Sequence, residues 1–166
     1  MPPISEALSA EIVELLPRLR RFARALAGNM SDADDLAQIA IERALARSDQ
    51  LRPDAPLAGW MFGILRNAWL DEIRVRKRRH RVFAPEELGE QVADPRGDHA
   101  EVLPIQQAMQ RLPEEQREVI SLVLIEGFSY REAAQVIDAP IGTVTSRLAR
   151  GREALQTMLG EFVEDR

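Results

Sequence analysis

Hydrophobic residues recur at helical spacing along most of this chain. Near the amino terminus they follow the i, i+3, i+4 pattern of a helix with one buried face, at Ile12, Leu15, Leu16, Leu19, Phe22, Ala23 and Leu26. Gly28 and Asn29 end this predicted helix. Ser31 is the expected N-cap of a second helix that reaches about Arg47 and buries Leu36, Ile39, Ala40 and Leu45.

The same spacing predicts further helices beyond a loop at residues 48–56, where Pro53 and Pro56 prevent helix propagation. A third helix should cover about residues 57–79, and periodicity resumes after residue 101. Pro113 starts another predicted helix, Ser129 and Glu132 form a capping-box pair, and residues 143–159 are again helical. No strand pattern persists, so the expected fold is all-α.

Residues 81–100 lack this periodicity and have linker composition, with two Pro, two Gly and several acids. The sequence therefore predicts two small helical domains, at residues 1–80 and 101–166, joined by a flexible acidic linker. Charge is segregated in the same way. Residues 58–81 hold seven Lys and Arg against two acids, whereas residues 82–110 hold six acids against one Arg. Local charge of this kind permits nucleic-acid binding although the net charge is −5.

The last two predicted helices have the proportions of a helix-turn-helix, in which the start of the second helix meets base edges. Val144, Leu148 and Leu155 should point inward. The expected outward positions are Thr143, Thr145, Ser146, Ala149 and Arg150, and arginine side chains close by could bind phosphate or guanine. An ordinary helical hairpin with a solvated arginine face is the alternative.

A dense basic run, from Arg74 to Arg81, ends the third predicted helix, which also carries Trp60 and Trp69. Aromatic rings beside cations suit single-stranded nucleic acid. The alternative is that the tryptophans are core residues and the cations a solvated helix end.

Residue types exclude several classes of function. There is no Cys and there are two His, so disulfides, thiolate metal sites and a cysteine nucleophile are excluded and no metal site or cofactor is expected. The acids that begin the second helix lack the partners of an active site, and they fit a dipole-stabilised helix start or a protein interface. We therefore expect no enzyme activity. With no apolar run of about 18 residues, the expected protein inserts into no membrane and is cytoplasmic.

Three segments together resemble an extracytoplasmic-function sigma factor, the small two-domain type of bacterial transcription initiation factor. LPRLRRFARALAGNMSDADDLAQIAIERAL is similar to the region that binds the clamp helices of the polymerase β′ subunit. PLAGWMFGILRNAWLDEIRVRKRR is similar to the part that captures the melted minus-ten element. LPEEQREVISLVLIEGFSYREAAQVIDAPIGTVTSRLARGREAL is similar to the domain that recognises the minus-thirty-five element.

The resemblance implies a role for each group of residues and implies core RNA polymerase, contacted at the β′ clamp helices and the β flap, as a partner. Polymerase contacts would come from Asp34, Asp35, Leu36, Gln38 and Arg43. Contacts to the minus-ten element would come from Trp60, Arg66, Asn67, Arg74, Arg76, Lys77, Arg78 and Arg79, with residues 48–56 accepting a flipped base. Contacts to the minus-thirty-five element would come from Tyr130, Arg131, Thr143, Thr145, Ser146, Arg147, Ala149 and Arg150.

The implied function is to direct core polymerase to specific promoters and to assist melting of the duplex. Promoter DNA is then the second partner, and the resemblance also implies an anti-sigma factor. Two alternatives remain at this stage. One is a free-standing helix-turn-helix regulator that binds duplex DNA without polymerase, and the other is an enzyme acting on nucleic acid, for which no catalytic constellation is present.

Overall fold

The computed structural model describes residues 4–83 and 104–164 of the chain. Within these two ranges there are seven α-helices and no strand, which confirms the all-α expectation. Most of the predicted linker, residues 84–100, lies outside the described residues, so the division into two domains stays a prediction. We use the name N-terminal unit for residues 4–83 and the name C-terminal unit for residues 104–164.

The N-terminal unit is a three-helix arrangement. It contains α1 (Glu6–Ala27), α2 (Met30–Ala46), a short 3-10 turn (Ser48–Gln50) and α3 (Leu57–Phe83). Its centre is made by large apolar side chains from α1 and α3 that are fully buried, namely Leu19, Phe22, Met61, Phe62 and Leu65. Small alanines of α2, including Ala37 and Ala40, let that helix lie close to the other two.

Two sequence expectations for α2 are wrong. The N-cap is Asn29 rather than Ser31, because the Asn29 Oδ1 accepts a 2.9 Å hydrogen bond from the backbone N–H of Asp32 and the helix begins at Met30. Ile39 is 38% exposed rather than buried. Alanines fill the buried positions of this helix instead, at Ala33, Ala37, Ala40 and Ala44.

The C-terminal unit contains α4 (Pro104–Arg111), α5 (Glu114–Ile120), α6 (Tyr130–Ile137) and α7 (Ile141–Glu164). A π-helical segment, Ser121–Ile125, continues α5. The helix α7 starts two residues before its predicted start. It crosses α5 at Gly151, where the closest atom to an added Cβ would be Cδ1 of Ile120, at 2.5 Å. Glycine at this position leaves room for the Ile120 side chain between the two helices.

The two units pack against each other. The helix α6 lies on α3, and α5 with its π-helical segment lies on α1. Buried apolar residues of both units form one continuous core, in which Phe62 of α3 meets Phe128 of the segment before α6.

Candidate nucleic-acid interface

A capped helix and a tight turn set the geometry of α6 and α7. Ser129 and Glu132 form the predicted capping box, with reciprocal hydrogen bonds of 3.1 and 3.2 Å. Asp138 ends α6 in the left-handed conformation, at φ +52°, and only Ala139 and Pro140 separate it from Ile141, the first residue of α7. Val144 and Leu148 are buried, as expected. The turn therefore holds the start of α7 beside α6 with its other face free.

The free face of α7 carries most of the residues expected to read duplex DNA. Exposed there are Thr145, Ser146, Ala149 and Arg150, while Thr143 is half-buried. Two of the hydroxyls donate within the helix, Thr145 to the Ile141 carbonyl at 3.0 Å and Ser146 to the Thr143 carbonyl at 3.2 Å. Arg147 lies 3.7 Å from Glu115 of α5. On α6, Tyr130 and Arg131 are exposed.

The basic end of α3 divides into paired and unpaired cations. Arg76 binds Asp32 of α2 at 3.0 Å and lies 5.5 Å above the Trp69 ring, so it holds α2 and α3 together. Arg74 is 3.5 Å from Asp71. Lys77, Arg78 and Arg79 are exposed and form no ion pair with any residue in the described ranges. These three, together with the exposed Arg81, are the cations of the run that are open to phosphate within the described residues.

The middle of α3 presents a mixed set of side chains. Asn67 is exposed and Trp60 is half-buried. Trp69 is buried and its indole N–H donates to Glu114 of α5. Arg66 is only 15% exposed, because it forms an ion pair with Glu118 of α5. Arg66 and Trp69, on either side of Asn67 in the sequence, therefore both bind acids of the C-terminal unit.

The residues expected to contact polymerase do not all lie at the surface. Asp34, Asp35 and Gln38 are exposed on α2. Leu36 is 4% exposed and packs in the core, so it supports this surface and offers no face to a partner. Arg43 is 2.9 Å from Asp71 and links α2 to α3.

Asp32 is part of the fold and not of that surface. A 2.8 Å hydrogen bond from the Asn29 side chain lowers the pKa of Asp32, and the guanidinium of Arg76 acts in the same direction. The carboxylate therefore stays charged at the positive end of α2, where the helix dipole favours it.

Sequence reasoning missed the contact between the two units. The side chain of Glu126, at the end of the π-helical segment, is 1% exposed and accepts hydrogen bonds from Arg18 at 3.0 Å and Arg21 at 2.7 Å. Arg18 also donates to the Glu126 carbonyl at 3.0 Å. An acid that closes an apolar run was the only local signal, and its partners are more than 100 residues away.

Aromatic rings fill the space beside this pair. Phe22 stacks on Phe62 at a centroid separation of 5.1 Å, and Phe128 meets Phe62 edge-on at 5.0 Å. The guanidinium of Arg18 lies 5.4 Å from both the Phe62 and Phe128 centroids, one ring from each unit. Arg18 therefore contacts both units by charge and by cation–π attraction.

Burial raises the pKa of the Glu118 carboxyl, and the nearby Arg66 guanidinium opposes the rise without overcoming it. The carboxylate form of Glu118 is accordingly disfavoured in the packed chain. The described residues contain no group of three or more His, Asp or Glu side chains placed to hold a metal ion. In the same ranges, no helix is both long enough and apolar enough to cross a bilayer.

Comparison with protein families gives two matches that together cover most of the chain. Residues 12–66 match the family described as the sigma2 domain of PhyR, and residues 103–155 match the family described as sigma-70, region 4. The first match ends within α3 at Arg66, and the second contains α5, α6 and the exposed face of α7.

Curated relatives match over nearly the whole length. The ECF RNA polymerase sigma factor EcfG of Rhodopseudomonas palustris is 36% identical, with 95% of this chain and 87% of that protein covered. The ECF RNA polymerase sigma factor SigW of Bacillus subtilis is 31% identical, with coverage of 92% and 89%. Among solved structures, the sigma factor RpoE of Bartonella quintana, in complex with the anti-sigma factor NepR, has a TM-score of 0.79. It is 30% identical, and 94% of this chain and 98% of that chain are covered.

Proposed function

This chain belongs to the ECF RNA polymerase sigma factors, and from that premise we propose how its two units divide the work of promoter recognition. The chain directs core RNA polymerase to specific promoters and assists opening of the duplex, as the relatives' names and coverage indicate. The observation that supports the proposal is that each unit carries exposed side chains among its candidate DNA-binding residues. The free-standing regulator is set aside, because the relatives of nearly full length are polymerase sigma factors.

The N-terminal unit is proposed to bind the minus-ten element as a melted strand. Asn67 lies near a flipped base, which residues 48–56 accept, and Lys77, Arg78 and Arg79 bind the phosphates of that strand. The exposure of these four side chains supports the assignment. Trp60 and Arg66 complete the surface. Arg74 and Arg76 contribute positive potential, and Arg76 also holds α3 to α2 through Asp32.

Polymerase is proposed to bind the exposed face of α2. Asp34, Asp35 and Gln38 present acidic and polar groups that complement a basic or polar clamp surface of the β′ subunit. Leu36 fixes the helix from beneath, and Arg43 holds it to α3. The β flap is the expected contact of the C-terminal unit.

The C-terminal unit is proposed to recognise the minus-thirty-five duplex through α7. Thr145, Ser146, Ala149 and Arg150 meet base edges, and the remaining contacts, from Tyr130, Arg131, Thr143 and Arg147, fix the position of the helix on the backbone. Arg150 is the strongest candidate for a guanine, because it is exposed and forms no ion pair within the described residues.

No catalysis by the chain itself is proposed, since phosphodiester bond formation belongs to the polymerase. Its proposed partners are core polymerase, promoter DNA and an anti-sigma factor. The solved complex of the Bartonella quintana relative with NepR supports the last of these. With these partners, its proposed site of action is the cytoplasm.

A gel mobility-shift experiment tests the proposal against a regulator that acts alone. A duplex promoter fragment is incubated with the chain, with core polymerase, and with both. We expect a promoter-specific shift only when both are present. A specific shift of equal affinity without polymerase would contradict the proposal.

A further inference from the structure

Two acids stand within the basic part of α3, where a carboxylate weakens the attraction for phosphate. Residues 58–81 contain seven Lys and Arg, and the two acids among them are Asp71 and Glu72. Glu72 pairs within its own helix, with Arg76 one turn later at 3.1 Å. Asp71 instead pairs across to α2. Its presence in a surface proposed to hold a DNA strand therefore requires a separate physical reason.

Both carboxylate oxygens of Asp71 contact arginines that the proposed function uses. Oδ2 lies 2.9 Å from Nη1 of Arg43, on the helix proposed to bind polymerase. Oδ1 lies 3.5 Å from Nη1 of Arg74, on the surface proposed for the minus-ten strand. The Asp71 side chain is half-exposed, so solvent screens these pairs and they contribute little to stability. Asp71 therefore contacts one residue of each surface without being a core residue of the unit.

The basic end of α3 depends on ion pairs for its position. Up to position 82, Trp69 is the last buried residue of α3, and beyond it Ile73 packs only partly against the core. A second cross-helix pair runs in the opposite sense, from Arg76 of α3 to Asp32 of α2 at 3.0 Å. The two pairs are attached to α3 five positions apart, which is about 7.5 Å along the helix. Attachment at two separate points fixes both the rotation and the translation of this part of α3 on α2.

Helical spacing places Asp71 between the base-contacting and the phosphate-contacting residues proposed for α3. Four residues follow one another at intervals of four, three and four positions and so share one face, namely Asn67, Asp71, Arg74 and Arg78. Because the core fixes the earlier part of α3, bending of its basic end would move the cations relative to Asn67. Residues that prevent such bending would keep the strand-binding groups aligned.

We propose that Asp71 is a positioning residue of the minus-ten surface. Through Arg43 it holds the basic end of α3 in register with α2, and through Arg74 it directs that guanidinium along the face that carries Asn67. The inference rests on the function proposed above and adds to it a residue that acts through two others without contacting DNA. Its expectation is opposite to that of charge alone. Loss of a negative charge should favour binding of a strand, whereas loss of a positioning residue should slow promoter opening.

The test uses holoenzyme assembled from the full chain and core polymerase, on a promoter whose start site run-off transcription has identified. Asp71→Asn removes the charge and keeps the shape of the side chain. The matched control is Glu14→Gln, which removes the same charge from an exposed position of α1 outside the proposed surfaces. Asp71→Glu keeps the carboxylate. Arg43→Gln, alone and combined with Asp71→Asn, completes a double-mutant cycle, and core polymerase saturates every variant.

Two quantities are measured: closed-complex affinity, by mobility shift at a temperature too low for melting, and the rate of opening, by permanganate reactivity after timed mixing. We expect Asp71→Asn to open the promoter about tenfold more slowly than Glu14→Gln, with closed-complex affinities that agree within about twofold, because only opening uses the strand-binding residues. Asp71→Glu should recover most of the rate. The combined variant should open no more slowly than the slower single variant, since both substitutions remove one pair. Circular dichroism of the free chains checks that each variant is folded.

An opening rate of Asp71→Asn equal to or above that of Glu14→Gln would overturn the inference, because charge alone would then account for Asp71. Rate losses that multiply in the combined variant would also overturn it. So would a rate loss that vanishes when one base of the minus-ten strand is changed, which would assign Asp71 to base recognition. Start-site selection by the unaltered chain is the separate readout for the proposed function. Its absence refutes the sigma assignment, while an active unaltered chain with no difference among the variants refutes only the role of Asp71.

Discussion

Gly151 shows how one missing side chain sets the packing of two helices. A Cβ at this position would lie 2.5 Å from Cδ1 of the buried Ile120, so either the Ile120 side chain or the two helices would have to shift. We expect Gly151→Ala to lower the free energy of unfolding by about 1–3 kcal/mol, measured by urea denaturation. Gly160→Ala in the same helix has open space around it and should raise the free energy of unfolding by roughly 0.4–1 kcal/mol. Equal effects at the two glycines would refute the close approach.

Glu118 makes stability depend on pH. Its pKa is raised in the folded chain by burial, so its favourable contribution is fully present below the unfolded pKa, about 4.3. That contribution is lost as pH rises through the folded pKa. We therefore expect the Tm of the unaltered chain to fall relative to that of Glu118→Gln between pH 4 and pH 8, measured by circular dichroism. A difference in Tm that stays constant over this range would contradict the burial argument.

Asn29 and Ser31 are two nearby candidates for the N-cap of α2, and the structure identifies Asn29 as the cap. Asn29 accepts the N–H of Asp32 and also donates to the Asp32 carboxylate, whereas Ser31 is exposed inside the first turn. Asn29→Ala should lower the free energy of unfolding by about 1 kcal/mol, within the 0.5–2 kcal/mol usual for N-caps. Ser31→Ala should change it by less than about 0.5 kcal/mol. Chemical denaturation of the two variants checks this, and the reverse order would restore Ser31 as the cap.

At the scale of helices, the sequence predicted the features that depend on local spacing and residue type. The stripe on α1, the Ser129 capping box and the inward side chains Val144 and Leu148 all follow from spacing and residue type. The prediction of Ser31 as the N-cap of α2 was wrong because Asn and Ser are both common N-cap residues, and only backbone geometry distinguishes Asn29 from Ser31. The predicted burial of Ile39 was wrong because alanines of the same helix fill the space between α2 and the neighbouring helices.

The contact between the units could not be predicted from local pattern. Glu118 and Glu126 stand at helical positions where an acid normally faces water, and their partners Arg66 and Arg18 are 52 and 108 residues away in the chain. Phe62 is completely buried, and this burial depends on packing by both units. The residues proposed for DNA and polymerase were found through the family resemblance together with charge, and most of them are exposed.

At the scale of the whole molecule, substitutions in the two proposed DNA surfaces should impair different steps of promoter binding and opening. Arg150→Ala should weaken promoter binding by roughly 1–3 kcal/mol if the lost contact is to a base, and a pre-melted template should not restore it. Asn67→Ala should spare the closed complex and slow opening, because its partner is a base that must leave the stack. A pre-melted bubble should rescue this variant in permanganate footprinting. The same response of both variants to the bubble would refute the division of labour.

Run-off transcription on a genomic promoter library tests the central assignment most directly. Core polymerase is combined with the full chain, and the 5′ ends of the transcripts are sequenced. We predict defined start sites that share two elements at constant spacing, near minus ten and minus thirty-five, and that are absent with core polymerase alone. The same start sites at the same frequency with and without the chain would contradict its function as a sigma factor.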